Sequence, residues 1–174
     1  MFAAFGSHAL QRRAVVLVFL AVGGGLARPN AANARAVARP VPCQTISKAG
    51  VASLFNQWNK ALAARKTDMV VVLYAPDATL LPTVQDGPLV GRETIGSYFT
   101  YFLRQSPQAV VGQRVIKVGC NIAYDIGLYT FAVDGDQPGS RKQIAARYTF
   151  IYAPEHGKWL IVHHHSSASP VVSQ

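Results

Sequence analysis

Gly157-Lys158-Trp159-Leu160-Ile161-Val162-His163-His164-His165-Ser166-Ser167-Ala168-Ser169-Pro170 decides how this chain is read. Gly157 ends a reverse turn begun at Pro154, and the aromatic and β-branched residues after it have the composition of a strand. Side chains alternate across a strand. Unbroken alternation puts Trp159, Ile161, His163 and His165 on one face and Leu160, Val162 and His164 on the other. The expectation is that His163 and His165 point together into whatever that first face covers.

Upstream, two-residue alternation of Val, Ile, Tyr, Phe and Thr predicts further strands near 109–119, 122–133 and 142–153. Asp134-Gly135, Pro138-Gly139 and Pro154-Glu155-His156-Gly157 supply turns short enough for an antiparallel meander. Before residue 109 the period is helical. Thr45 is placed to cap a helix that carries Val51, Leu54, Phe55, Trp58 and Leu62 on one face and ends near Lys66. Thr67 or Asp68 opens a short second helix through Tyr74, stopped by Pro76, and Ala78–Leu81 reads as a short strand. Gly91-Arg92-Glu93 opens a third helix that buries Ile95, Phe99, Phe102 and Leu103 and stops at Pro107. Helices followed by a run of antiparallel strands make an α+β domain, with the helices on one face of a strongly bent sheet and a conical cavity between them.

The 174 residues, half of them hydrophobic, suit one domain plus a short extra segment. That segment is N-terminal. Arg12 and Arg13 precede an apolar run from Ala14 to Val22, and small residues follow through Ala34, which is the layout of a secretory signal peptide over residues 1–34. The run is too short and glycine-broken to span a membrane comfortably. An extended lead-in over 35–43, a domain over 44–170 and a tail over 171–174 complete the organisation. Loss of Arg12, Arg13 and Arg28 with the leader leaves 14 basic against 8 acidic residues, a net charge of +6 rather than +9. The basic residues are scattered, not clustered and interleaved with aromatics, so nucleic acid is not an expected partner. An exported protein meets an oxidising compartment, and its two cysteines, Cys43 and Cys120, are expected to pair.

Three segments together resemble the nuclear transport factor 2-like superfamily: Phe55-Asn56-Gln57-Trp58-Asn59 in the first helix, the Leu73-Tyr74-Ala75-Pro76-Asp77-Ala78 step, and the His-rich last strand. Within that superfamily the chain is most similar to the association (hub) domain of calcium/calmodulin-dependent protein kinase type II and to bacterial stand-alone SgcJ/EcaC-type, SnoaL-like proteins. The resemblance covers about residues 44–170 and implies a cone-shaped α+β fold, self-association into a homodimer or a larger ring, and a pocket for a small molecule. No Gly-rich nucleotide loop, His-Arg-Asp or Asp-Phe-Gly is present, so kinase activity is not implied. Dinucleotide and flavin fingerprints are absent as well, and no cofactor is expected.

The expected function is that of an exported, self-associating domain, periplasmic or secreted and free of the membrane once its leader is removed. Its cone would hold a carboxylate-bearing or aromatic small molecule. The resemblance to the hub cavity implies that Arg147 anchors negative charge. His163 and His165 would hydrogen-bond the ligand, and Tyr74, Trp58 and Phe102 would wall it. Arg114 is a weaker second cation, expected at the surface. A metal would need a third ligand beside His163 and His165; His156 sits in a distant turn and Asp77 is the remaining option, so no metal is assigned. Two alternatives stand beside this reading. One is a ketosteroid-isomerase-like isomerase, cyclase or hydrolyase, with Asp77 or Asp125 as base and Tyr74, Tyr98, Tyr129 or Tyr148 as donor. The other is an assembly module with an empty or filled cone. Serine-nucleophile chemistry is set aside, because no Gly-x-Ser-x-Gly elbow exists around Ser166 or Ser167.

Overall fold

The structure, a computed structural model, describes residues 41–170. The leader expected over 1–34, most of the lead-in and the tail lie outside the described residues. The order of elements is α1 (Lys48–Ala63), α2 (Thr67–Val71), β1 (Tyr74–Leu81), β2 (Leu89–Val90), α3 (Gly91–Phe102) with a 3₁₀ turn at Leu103–Gln105, β3 (Gln108–Gly119), β4 (Ile122–Asp134), β5 (Arg141–Glu155) and β6 (Lys158–Ala168).

The first helix starts later than expected. Ser47, not Thr45, is its N-cap, with the Ser47 hydroxyl accepting from the Gly50 amide. It stops at Ala63 because Arg65 adopts a left-handed backbone at φ 56°, which no α-helix continues. Val51, Phe55, Trp58, Ala61 and Leu62 form its buried stripe. Each large side chain there contributes roughly 1.5–3 kcal/mol by leaving water. The second helix is shorter than expected, since Tyr74, Ala75 and Pro76 already belong to β1. Proline is tolerated there because the β1 pairing is interrupted between Tyr74 and Thr79.

The six strands form one sheet in the order β2-β1-β6-β5-β4-β3. Strands β3 to β6 make the expected antiparallel meander. The β1–β6 pair is parallel, a departure from an all-antiparallel sheet: β1 enters from the helical half of the chain and not through a hairpin with β6. His156 and Gly157, at φ 49° and 77°, make the tight turn between β5 and β6, a pair of positive φ values that matches the twist of the strands it joins.

Two irregularities set which side chains face the helices. In β3, three steps from Val111 to Arg114 oppose two steps from Tyr129 to Gly127, so the strand carries one extra residue at Gly112–Gln113. In β6, Ile161 and His163 pair with the consecutive residues Tyr152 and Ile151, leaving Val162 as the extra residue. Each bulge inverts the alternation downstream of it.

Cys43 and Cys120 are joined, with Cα atoms 5.1 Å apart and a separation of 77 positions in sequence. Around the bridge the Gln44 amide donates to Asn121 Oδ1 at 2.8 Å, and the Asn121 amide donates to the Gln44 carbonyl at 2.9 Å. The lead-in is thereby tied to the β3–β4 turn. At the other end of β3, the Asn59 side chain bonds both the amide and the carbonyl of Ala109, at 2.9 and 2.7 Å. A helix amide thus takes the place of a neighbouring strand at the sheet edge.

Candidate functional site

The bulge at Val162 redistributes the histidines. Ile161, His164 and Ser166 face the helices, opposite Tyr152, Phe150 and Tyr148 of β5. His163 and His165 lie on the outer face, opposite Ile151 and Thr149. The expectation that His163 and His165 enter the cone is corrected on this point: alternation holds on either side of the bulge but not across it. His164, assigned to the outside by simple alternation, is 2% exposed.

Of the expected ligand wall, Trp58, Tyr74 and Phe102 do line the interior, and they gather around His164. Trp58 Nε1 donates to the Tyr74 hydroxyl at 3.1 Å, and that hydroxyl lies 2.9 Å from His164 Nδ1. The tyrosine oxygen accepts from an indole that can only donate, and the tautomer of His164 sets which partner donates in the Tyr74–His164 bond. The His164 ring stacks on Phe150 at 3.9 Å and meets the edge of Trp58 at 5.3 Å. Burial, then the neighbouring His163 and His165, hold its pKa well below 6.5. Burial likewise drives the Tyr74 hydroxyl well above its ordinary value, so this relay is neutral across the physiological range.

Beside it the Tyr129 hydroxyl donates to Ser166 Oγ, and Ser166 also meets Thr83. The interior void bounded by His164, Ser166, Tyr129 and Phe102 measures about 10 Å³. That is room for one water at most. The cone is packed with side chains, not open.

The bulge in β3 has the same effect on Arg114, which turns inward instead of lying at the surface. Its Nε donates to Asp125 Oδ1 at 3.1 Å and to the Tyr148 hydroxyl at 3.3 Å, and Nη2 lies 2.9 Å from Asp125 Oδ2 in a close ionic contact. The guanidinium covers the Phe55 ring at 5.0 Å. Tyr148 in turn donates to Asp125 Oδ1 at 3.0 Å. Burial raises the Asp125 pKa above 3.8, against the pull of the Arg114 charge and of hydrogen bonds from Tyr148 and Arg114. Burial also pushes the Tyr148 hydroxyl up to about 12. Gly127 makes this triad possible: a Cβ there would meet the Gln113 carbonyl at 2.1 Å and the Tyr148 hydroxyl at 3.0 Å. Asp125 is fully buried, and its carboxylate accepts from Arg114 and Tyr148.

Arg147 was expected inside the sheet, above the cavity. It lies on the outer face, opposite Leu128 and Ser167, and has no carboxylate partner among the described residues. Arg147 and His165 nevertheless share a site. With Val115, Ile126, Leu128 and Thr149 they line an open groove of about 470 Å³ on the outer sheet face. The expected set is thus divided by the sheet, with Arg147, His163 and His165 outside and Tyr74, Trp58 and Phe102 inside. Asp77 is exposed in the kinked part of β1. Among the described residues no three His, Cys, Asp or Glu side chains cluster closely enough to hold a metal, and no helix is long and apolar enough to cross a membrane.

The family model of the calcium/calmodulin-dependent protein kinase II association domain matches residues 47–170. The chain belongs to this association-domain family. A crystal structure of a Xanthomonas campestris protein named for the same domain is 46% identical, with a TM-score of 0.67 over 70% of this chain and 87% of that one. More distant structures share the fold alone. A nuclear transport factor 2-like protein from Pseudomonas putida is 18% identical, with a TM-score of 0.61 over 70% of this chain and 85% of that one. A ketosteroid isomerase-like protein from Erwinia carotovora is 14% identical, with a TM-score of 0.58 over 70% of this chain and 96% of that one. No match was found among curated proteins. The superfamily read from the Trp58, Tyr74 and Trp159 segments is therefore the right one, and the chain has its cone-shaped α+β fold.

The inward Arg114 and the buried His164 are the two site features that alternation alone misses. Arg114 has a local sequence signal, Gly112 in β3 and Gly127 across from the bulge, whereas the bulge at Val162 that buries His164 has no glycine to mark it.

Proposed function

We propose that this chain is an exported self-associating module whose outer sheet face packs on the same face of a second copy. One observation carries the reading. Val115, Ile126 and Leu128 are 55%, 40% and 41% exposed on adjacent outer positions of β3 and β4, while helices cover the other face of the same strands. A contiguous apolar sheet face of this kind is normally covered in a soluble protein. Membership of an association-domain family favours a second copy as the cover, and an isologous contact would bring the patch onto itself. The N-terminal leader pattern and the Cys43–Cys120 bridge support export. The packed cone favours assembly over chemistry in the interior.

Sedimentation velocity over a concentration series tests the association. The wild-type protein should sediment as a dimer or larger, and Ile126→Glu should convert it to a monomer with an unchanged circular dichroism spectrum. Wild type remaining monomeric at about 100 µM would overturn the reading, since a contact weaker than about 5 kcal/mol is no stable interface.

A second reading, binding of a carboxylate-bearing small molecule, draws on the unpaired Arg147 in the open outer groove beside Thr149, His165 and Ser167. Native mass spectrometry of the protein purified from its own host tests it. A retained acidic small molecule that is lost in Arg147→Ala supports this reading, and bare chains count against it.

A further inference from the structure

The outer face has an uneven charge pattern. His163 and His165 stand two residues apart on β6, and His165 lies opposite Thr149, so Arg147 is its diagonal neighbour across β5 at about 7 Å between Cα atoms. One carboxylate borders this cluster: Asp77 of β1 is exposed two residues before Thr79, the residue opposite His163. Thr79 and Leu81 of β1 lie opposite His163 and His165, and Ile151 and Thr149 occupy the β5 side. Ile126 and Leu128 of β4 and Val115 of β3 continue the face, with Lys117 as its further cation. The other carboxylates of these strands are elsewhere. Asp125 faces inward to Arg114, Asp134 pairs with Arg141 at the β4–β5 end, and Glu155 stands opposite Lys158 at the β5–β6 turn.

In a twofold contact through this face, each cationic cluster meets a patch that carries the same cluster. Like charges brought together at an interface oppose association, more strongly as water is excluded. Imidazole is the side chain whose charge changes between about pH 5 and 8. We infer that self-association of this domain is switched by pH through His163 and His165, which stand beside Arg147 on the outer sheet face and loosen the contact between copies once charged. This rests on the outer-face contact proposed above. The face then holds together when the imidazoles are neutral and comes apart when each copy adds two positive charges to the patch. The two imidazoles are close enough that the charge of His165, after burial, contributes to holding the His163 pKa down.

The test is the dimer dissociation constant of the whole protein at about pH 8 and about pH 5, at constant ionic strength, with circular dichroism to follow the fold. Wild type should lose about tenfold in affinity at the lower pH, and His163→Gln with His165→Gln should lose less than about threefold over the same interval. A wild-type constant that stays within about threefold overturns the switch and leaves the association standing. So does a double variant that retains the full loss, which would assign the effect to other groups. A wild type that is monomeric at about pH 8 overturns the association and the switch together.

Discussion

Gly127 and Tyr148 face each other across β4 and β5, and the missing side chain at Gly127 is what admits the Tyr148 hydroxyl to Asp125. The same position faces the Gln113 carbonyl, which the β3 bulge pushes over Gly127. One glycine therefore accommodates both the bulge and the triad it creates.

Gly127→Ala is expected to destabilise the domain by about 2 kcal/mol or more, since the methyl group meets backbone at a distance no relaxation of a flexible side chain relieves. Urea denaturation measures it. The companion variant Tyr148→Phe removes only the hydroxyl and should cost about 1–2 kcal/mol. A Gly127→Ala protein as stable as wild type would mean that the Gln113 carbonyl does not occupy the position over Gly127.

His164 makes stability depend on pH with a definite sign. Its folded-state pKa lies well below 6.5 while the unfolded chain protonates near that value, so at acid pH the unfolded state binds more protons. The stability is fully present above about pH 6.5 and falls as pH drops below it, with a limiting slope of about 1.4 kcal/mol per pH unit from this one group. His163, whose pKa is lowered by burial first and His165 second, adds to the slope in the same direction. Denaturation midpoints from pH 8 down to pH 5 should show the decline, and His164→Gln should flatten it by about one proton. An undiminished slope in that variant would move the effect to another residue.

The Cys43–Cys120 bridge closes a loop of 77 residues, and its reduction should lower stability by about 2–4 kcal/mol. Thermal or urea unfolding with and without reductant, alongside Cys43→Ser with Cys120→Ser, gives the number. Coincident unfolding curves under the two conditions would contradict it. Gln44 and Asn121 would continue to hold the lead-in to the turn through their paired hydrogen bonds, so local loosening at Cys43 should be smaller than the global loss.

Much of the architecture was legible in the residues themselves. The helical spacing of Val51, Phe55, Trp58 and Leu62 gave α1 its buried stripe, and the change to two-residue alternation after Ala109 gave the meander almost to the residue. The candidate site was less so. Alternation puts His163, His164 and His165 on the wrong faces for one reason: an extra residue in a strand reverses parity and leaves composition untouched, and a second bulge turns Arg114, expected at the surface, toward Asp125. Arg147 was misplaced for another reason. Ala145, Ala146, Tyr148 and Phe150 make its strand look uniformly buried, yet only Ala146, Tyr148 and Phe150 face the helices.

The run of three histidines gives β6 an unusual tolerance. Were the strand to shift by a single position in either direction, an imidazole would still fall between Trp58 and Phe150 and within reach of Tyr74, because His163 or His165 would replace His164 there. The triplet is thus blind to its own alignment. The choice among its three members falls to the residues at either end, Ile161 against Tyr152 and Ser166 under the Tyr129 hydroxyl, which have no duplicate to take their place. Those two flanking side chains, and not the histidines, decide which imidazole is sealed inside and which two are left to meet the solvent or a neighbour.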